Sequence, residues 1–242
     1  MLFQASAALA CLLQLCATAA ALTEQQTLSL DGPKNVQVVR EKLHKAEIIP
    51  TVIDDFLPSL TLSVIWSKDK AKLGNTIKPK SVQEQPAISL HDVTSPHGET
   101  TKHIMSYVVT LTDPDAPSRD NPEWSEMCHW ITPNVTLSQE TFSILPLLEF
   151  GVIEQATSTD GGPDDVMEYK PPGPPSKTGK HRYVFLAFAP KNGTTEALHL
   201  SKPKDRQHWG TGKEGGGVRE WAEENELVPV AANFIYSENK KQ

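Results

Sequence analysis

The sequence predicts a mainly β protein, a mostly antiparallel architecture with helices at its periphery. Leu60, Leu62, Val64 and Trp66 alternate with Thr61 and Ser63, the period-two pattern of a half-buried strand. The run Tyr183 to Ala189 puts Val184, Leu186 and Phe188 on one face and Phe185 and Ala187 on the other, so the strand must be covered on both sides. Val228 to Tyr236 reads as a closing strand. The long Pro-rich loops between such runs are where function is expected to sit.

Met1 to Thr23 contains no charged side chain, and Leu9, Leu12, Leu13 and Leu15 lie in an Ala-rich stretch that runs into Ala19-Ala20-Ala21. That reads as a secretory signal peptide over residues 1–21, cleaved shortly before Glu24, although no Lys or Arg precedes the apolar run. Its Ala, Thr, Ser and Gln content makes it too weakly apolar for a stable membrane span. The expected destination is extracellular or vacuolar. Residues 22–50 are expected as a helical appendage, with Asn35 capping a helix on which Val36, Val39 and Leu43 recur at helical spacing and Pro50 beyond its end.

Residues 51–242 then form the main domain. Ile88 and Leu90 begin a further strand, and Ile104 to Thr112 forms another that stops at Asp113-Pro114, because proline ends ladder pairing. Thr157 to Thr178 is too dense in Pro, Gly, Asp and Ser for regular structure. Val218, Trp221, Ala222 and Asn225 mark one short helix.

Composition narrows the function classes. The 242 residues carry a formal net charge of -7 with 38% hydrophobic and 22% charged content, the make-up of one large globular domain. A nucleic-acid partner is excluded, since phosphate binding draws on clustered Lys and Arg. Of the three cysteines, Cys11 and Cys16 fall in the signal, so the mature chain keeps Cys128 and no internal disulfide. Two sequons, Asn134-Val135-Thr136 and Asn192-Gly193-Thr194, would carry glycans on an exported chain.

Two segments concentrate the chemistry. In Asp113-Pro114-Asp115-Ala116-Pro117-Ser118-Arg119, followed by Trp124 and Cys128-His129-Trp130, two prolines stiffen the loop and Ala116-Pro117 is a candidate cis bond. The second runs Tyr169-Lys170-Pro171-Pro172-Gly173-Pro174-Pro175, then Gly179-Lys180-His181-Arg182-Tyr183, where Gly173 lets a ligand approach the backbone. A capped turn and a polyproline ligand are the plain structural alternatives for the two. Asp113, Asp115, His129 and His181 can serve as metal ligands, as acids and bases, or as walls of an anion pocket. Paired zinc spacings are absent, which counts against a metal. No Gly-x-Ser-x-Gly elbow is present, and Cys128 beside His129 points to the opposite face of a strand, so Cys128 reads as a small buried hydrophobe and no catalytic residue is assigned.

These paired segments resemble the signatures of the phosphatidylethanolamine-binding protein family, from about Val36 to the C-terminus. Trp124-Ser125-Glu126-Met127-Cys128-His129, Asp205-Arg206-Gln207-His208-Trp209-Gly210, Gly217-Val218, Trp221-Ala222 and Ala231-Ala232-Asn233-Phe234 look like that family's fungal carboxypeptidase Y inhibitors. The resemblance implies a large central antiparallel sheet flanked by a smaller one. It also implies a shallow pocket for phosphate-like or carboxylate groups such as lipid headgroups, lined by Asp113, Asp115, His129, Gly173, Pro174, His181 and Tyr183 with Trp124 at the rim. Pro117 and Tyr169 stand in the same motifs and count among its binding residues. A serine carboxypeptidase is the alternative partner, engaged by Leu22 to Pro50; no enzyme activity and no cofactor are implied. A histidine near a carboxylate gains proton affinity, so His129 and His181 are expected to present positive charge, with Asp113 and Asp115 orienting them or accepting a ligand ammonium. Animal members continue into a C-terminal helix, so a chain ending soon after Tyr236 is expected to leave the site more open.

Overall fold

The computed structural model describes residues 33–92, 105–137 and 164–240. The expected signal segment with Cys11 and Cys16, Ile104 and residues 157–163 lie outside the described residues. In chain order the elements are α1 (Pro33–Lys45), β1 (Leu60–Ile65), β2 (Asn75–Thr76), β3 (Ala87–Asp92), β4 (Tyr107–Asp113), β5 (Met127–Val135), β6 (Lys180–Pro190), α2 (Val218–Glu224) and β7 (Leu227–Glu238). Five strands form the large sheet in the order β2-β7-β6-β4-β5, antiparallel throughout except for the short β2–β7 pair. β1 and β3 form a separate antiparallel pair, with Leu62 opposite Leu90.

The double-sided β6 explains the layering. Val184, Leu186 and Phe188 face one core layer, which also holds Val39 and Leu43 of α1 and Val218, Trp221 and Ala222 of α2. Tyr183, Phe185 and Ala187 face the other, shared with Leu60, Leu62 and Val64 of β1 and Ile88 and Leu90 of β3. Each fully buried large side chain contributes ~1.5–3 kcal/mol over leaving it in water, so both layers hold the sheet without a disulfide.

The N-terminal expectation needs correction. Leu43 and Ile48 are completely buried and Ile49 nearly so, so over the described residues this segment is built into the domain and is no appendage. Its apolar stripe is what the outer face of β6 requires. The helix also begins at Pro33, a residue suited to the first turn because its missing N–H needs no partner there, and Asn35 lies inside that turn instead of capping it.

Candidate functional site

The site is organised by the end of β4. Adjacent strand residues point to opposite faces, so Asp113 turns toward one layer and Thr112 toward the other. Beyond them the loop is stiffened by Pro114 and Pro117, and the Ala116–Pro117 bond is cis, as the sequence suggested. The Asp113 carboxylate accepts hydrogen bonds from the Asp115 amide (2.9 Å) and from Nδ1 of His181 (2.9 Å). The Tyr183 hydroxyl interacts with the same carboxylate and with the Gly173 amide.

His129 reaches this cluster through an irregularity. The β4–β5 register passes from Thr112–Cys128 to Leu111–Trp130 and skips His129, an extra residue that re-aims its own side chain. Its ring stands edge-on to Tyr183 at 5.3 Å, while His181 lies nearly parallel to Tyr183 at 6.3 Å. Two imidazoles from distant motifs therefore flank one tyrosine.

The electrostatics of His129 differ from expectation. Nδ1 of His129 lies 2.7 Å from the Lys170 carbonyl, so Nδ1 carries the proton and donates it, leaving Nε2 of the neutral ring an acceptor. Burial pushes the His129 pKa down to about 4, outweighing the pull of the Asp113 carboxylate. At neutral pH this ring presents no positive charge. Both rings are also almost sealed, with His129 3% and His181 1% exposed, so the open pocket with two solvent-facing cations is not what these residues form. Packing against Tyr183 between the sheet layers is the cause.

The two aspartates divide their work. Asp113 orients His181, whereas Asp115 neither orients an imidazole nor awaits a ligand ammonium. Its carboxylate accepts from the Arg182 amide (2.7 Å) and from Nη2 (2.6 Å) and Nε (3.0 Å) of the Arg182 guanidinium. Nη1 of Arg182 donates onward to the carbonyls of Ala46 (3.0 Å) and Glu47 (2.8 Å), just past the end of α1. A cation suits a helix C-terminus, whose last carbonyls lack partners.

The remaining candidates scatter. Gly173 is exposed, Pro174 buried, Pro117 half-buried and Trp124 exposed at 37%. Tyr169 donates its hydroxyl to the Val82 carbonyl (2.9 Å) and packs edge-on against Trp130, which makes it a brace within the core layer that holds both. Asn134 and Asn192 are both exposed. Cys128 is fully buried, and burial pushes its thiol up to about 12. Among the described residues no group of three His, Cys, Asp or Glu side chains is placed to hold a metal ion, and no helix is long and apolar enough to cross a membrane.

Two residues were not singled out from the sequence. Arg206 donates to the carbonyls of Cys128 and His129 (both 3.2 Å) and of Glu168 (2.9 Å), fixing the bulge that carries His129. Glu126 is buried on the other face of the sheet, where it accepts from the Thr112 hydroxyl at 2.9 Å. Both occur in motifs noted above, but nothing in their spacing distinguishes a buried partner from a surface charge.

Comparison with known proteins is consistent with this architecture. The family model described as phosphatidylethanolamine-binding protein matches residues 67–235. The carboxypeptidase Y inhibitor of Saccharomyces cerevisiae is 34% identical over 207 residues, covering 81% of this chain and 93% of the inhibitor. The protein FLOWERING LOCUS T of Arabidopsis thaliana is 27% identical over 81% of this chain and 90% of its own length. Among solved structures, a carboxypeptidase Y inhibitor complexed with its cognate proteinase superposes with a TM-score of 0.69 at 29% identity, over 88% of this chain and 100% of the inhibitor. The phosphatidylethanolamine-binding protein from Plasmodium vivax shares the fold at a TM-score of 0.57 and 17% identity.

Proposed function

The chain belongs to the phosphatidylethanolamine-binding protein family, and from that premise we propose that it is a non-enzymatic binding protein that inhibits a serine carboxypeptidase of the carboxypeptidase Y type. The observation that carries this reading is the likeness to the yeast inhibitor along nearly its whole length. The buried, neutral His129 supports it too, because a proteinase surface does not need an open cationic pocket, whereas a free anion does. Assaying carboxypeptidase Y with the full mature protein tests the reading. Inhibition by the full protein is expected; none at stoichiometric excess refutes it.

A second reading retains a small ligand at the same place. Its specific support is Gly173, which is exposed and has no atom closer than 3.8 Å to where a side chain would begin, beside the Tyr183 hydroxyl. With the His129 Nε2 as an acceptor, that ligand is a phosphate or carboxylate group that brings a proton or an ammonium. Titration with phosphorylethanolamine, followed through the imidazole resonances of His129 and His181, is expected to move both; unmoved signals exclude it. Export is part of the proposal, on the ground of the charge-free Met1–Thr23 segment and the two sequons. Intact mass of the secreted protein before and after enzymatic deglycosylation tests it.

A further inference from the structure

Glu126 is a buried carboxyl group that forms no ion pair among the described residues. Only 4% exposed, it takes hydrogen bonds through Oε2 from the Thr112 hydroxyl (2.9 Å) and the Val218 amide (3.3 Å), both neutral donors. Gly217 packs against it so closely that a Cβ there would lie 2.2 Å from its carboxyl carbon. The charged groups around it give no net help. From α2, Glu220 opposes its ionisation and is itself bonded to the Gly217 amide (2.9 Å), while Arg219 favours ionisation but is also drawn to Asp54 (3.3 Å) and the Pro50 carbonyl. From β5 the Cys128 thiol is neutral, and from the 205–210 segment Arg206 and His208 are turned to backbone carbonyls. Asp113 belongs to the opposite face of β4. The two accepted hydrogen bonds favour the ionised form, but burial without an ion pair outweighs them, so the neutral acid is the stable form.

The same contacts hold a strained segment. His208 and Trp209 have φ of 51° and 50°, in the left-handed region that costs about 1–3 kcal/mol per residue outside glycine. Gly210 follows at φ 73°, where a Cβ would meet the Lys204 amide nitrogen at 2.6 Å. The segment is pinned by the Trp209 indole, which donates to Thr112 Oγ1 (2.9 Å), the hydroxyl that in turn donates to Glu126. The ring also packs on Trp221 at 5.4 Å. Two further ties join the segment to the strand bearing His129: the Cys128 amide donates to the Arg206 carbonyl (2.7 Å), and the Arg206 guanidinium donates to the His129 carbonyl.

We propose that Glu126 is a positioning residue of the candidate site: packed against Gly217 and joined through Thr112 to Trp209, it holds the 205–217 segment against β4 and β5, and a charge developing at this buried position favours release of that segment from the His129 strand. The device is a property of the chain alone, so its failure is separate from failure of the inhibitor reading.

The sign follows from linkage. Burial raises the closed-state pKa of Glu126 from 4.5 to about 8, whereas an opened segment returns the carboxyl to water and its ordinary value. Opening therefore becomes about tenfold easier per pH unit between those two values and levels off above the upper one. The test is hydrogen exchange of the 205–217 amides and the Trp209 indole in the full chain, corrected for intrinsic exchange, from pH 5 to 9. Wild type is expected to lose protection by about tenfold per unit up to roughly pH 8, and Glu126→Gln, which imitates the neutral acid, to show no such slope. A slope retained in the variant, or absent from wild type, overturns the proposal. Should the variant not fold, carbon NMR of the wild-type glutamate carboxyls decides: a Glu126 midpoint near the upper value supports the assignment, and one in the ordinary carboxylate range removes it.

Discussion

Asp115→Asn discriminates most directly between a structural and a ligand-binding role for the aspartates. Asp115 is 1% exposed and Arg182 6%, and the pair is held by the Nε and Nη2 contacts together with the Arg182 amide. The substitution keeps shape but removes the charge, leaving a guanidinium buried with only carbonyls for company. Breaking one side of a buried ion pair costs ~3–5 kcal/mol, a large part of the ~5–15 kcal/mol by which a domain is stable. For a domain of this size each kcal/mol moves the melting temperature by about 2–4 °C, so a fall of roughly 6–20 °C is expected. Urea unfolding followed by tryptophan fluorescence gives the free energy, and the slope of that transition checks that the folded state is unchanged. Asp113→Asn is the comparison: its single amide oxygen can accept from His181 or from the Asp115 amide but not from both, and a loss of about 1–3 kcal/mol is expected. If Asp115→Asn costs less than about 1 kcal/mol, the carboxylate is not the counter-charge of Arg182 and the ion-pair account is wrong.

The other expectations are narrower. His129 has its folded pKa depressed to about 4 from 6.5, so the unfolded chain takes up a proton that the folded chain refuses, and stability present above pH 6.5 is lost as pH falls toward 4. About 3 kcal/mol should disappear over that window, and His129→Gln should lose this part of the acid dependence in pH-resolved chemical denaturation. Gly217→Ala drives a methyl into the Glu126 carboxyl and should cost about 1–3 kcal/mol by the same assay, with a neutral result arguing against the close packing. Cys128, fully buried and with its thiol at about 12, should resist a thiol reagent at pH 8 until denaturant is added.

Legibility in the sequence followed periodicity. β6 and β1 were readable because period-two burial is a local pattern, and the assignment of Val184, Leu186 and Phe188 against Phe185 and Ala187 matches the two core layers. β5 is harder to read, since Pro133 and Asn134 look like turn residues and are tolerated because the strand lies at the sheet edge. The amphipathic stripe of α1 was visible, yet a stripe alone does not say which surface it covers. At the site, the stiff loop and the meeting of two motifs were legible. The protonation state of His129 was not, because the bulge that buries it and the Lys170 carbonyl that fixes its tautomer arise from pairing between distant segments. Asp113 and Asp115 are two residues apart and chemically identical, so only their partners across the sheet, His181 and Arg182, tell them apart.

His181 and Arg182 are consecutive in β6 and point to opposite faces, so a single strand end reads both aspartates and joins the histidine cluster to the carbonyls after α1. The residues that in a free-anion pocket would have to supply mobile positive charge are instead committed: Arg182 to Asp115, Arg206 to three backbone carbonyls, and His129 to the neutral state. A site with its cations so engaged favours a partner that contributes its own hydrogen-bond donors and its own surface. A proteinase meets that requirement through backbone amides and extended contact area, which a bare dianion cannot offer.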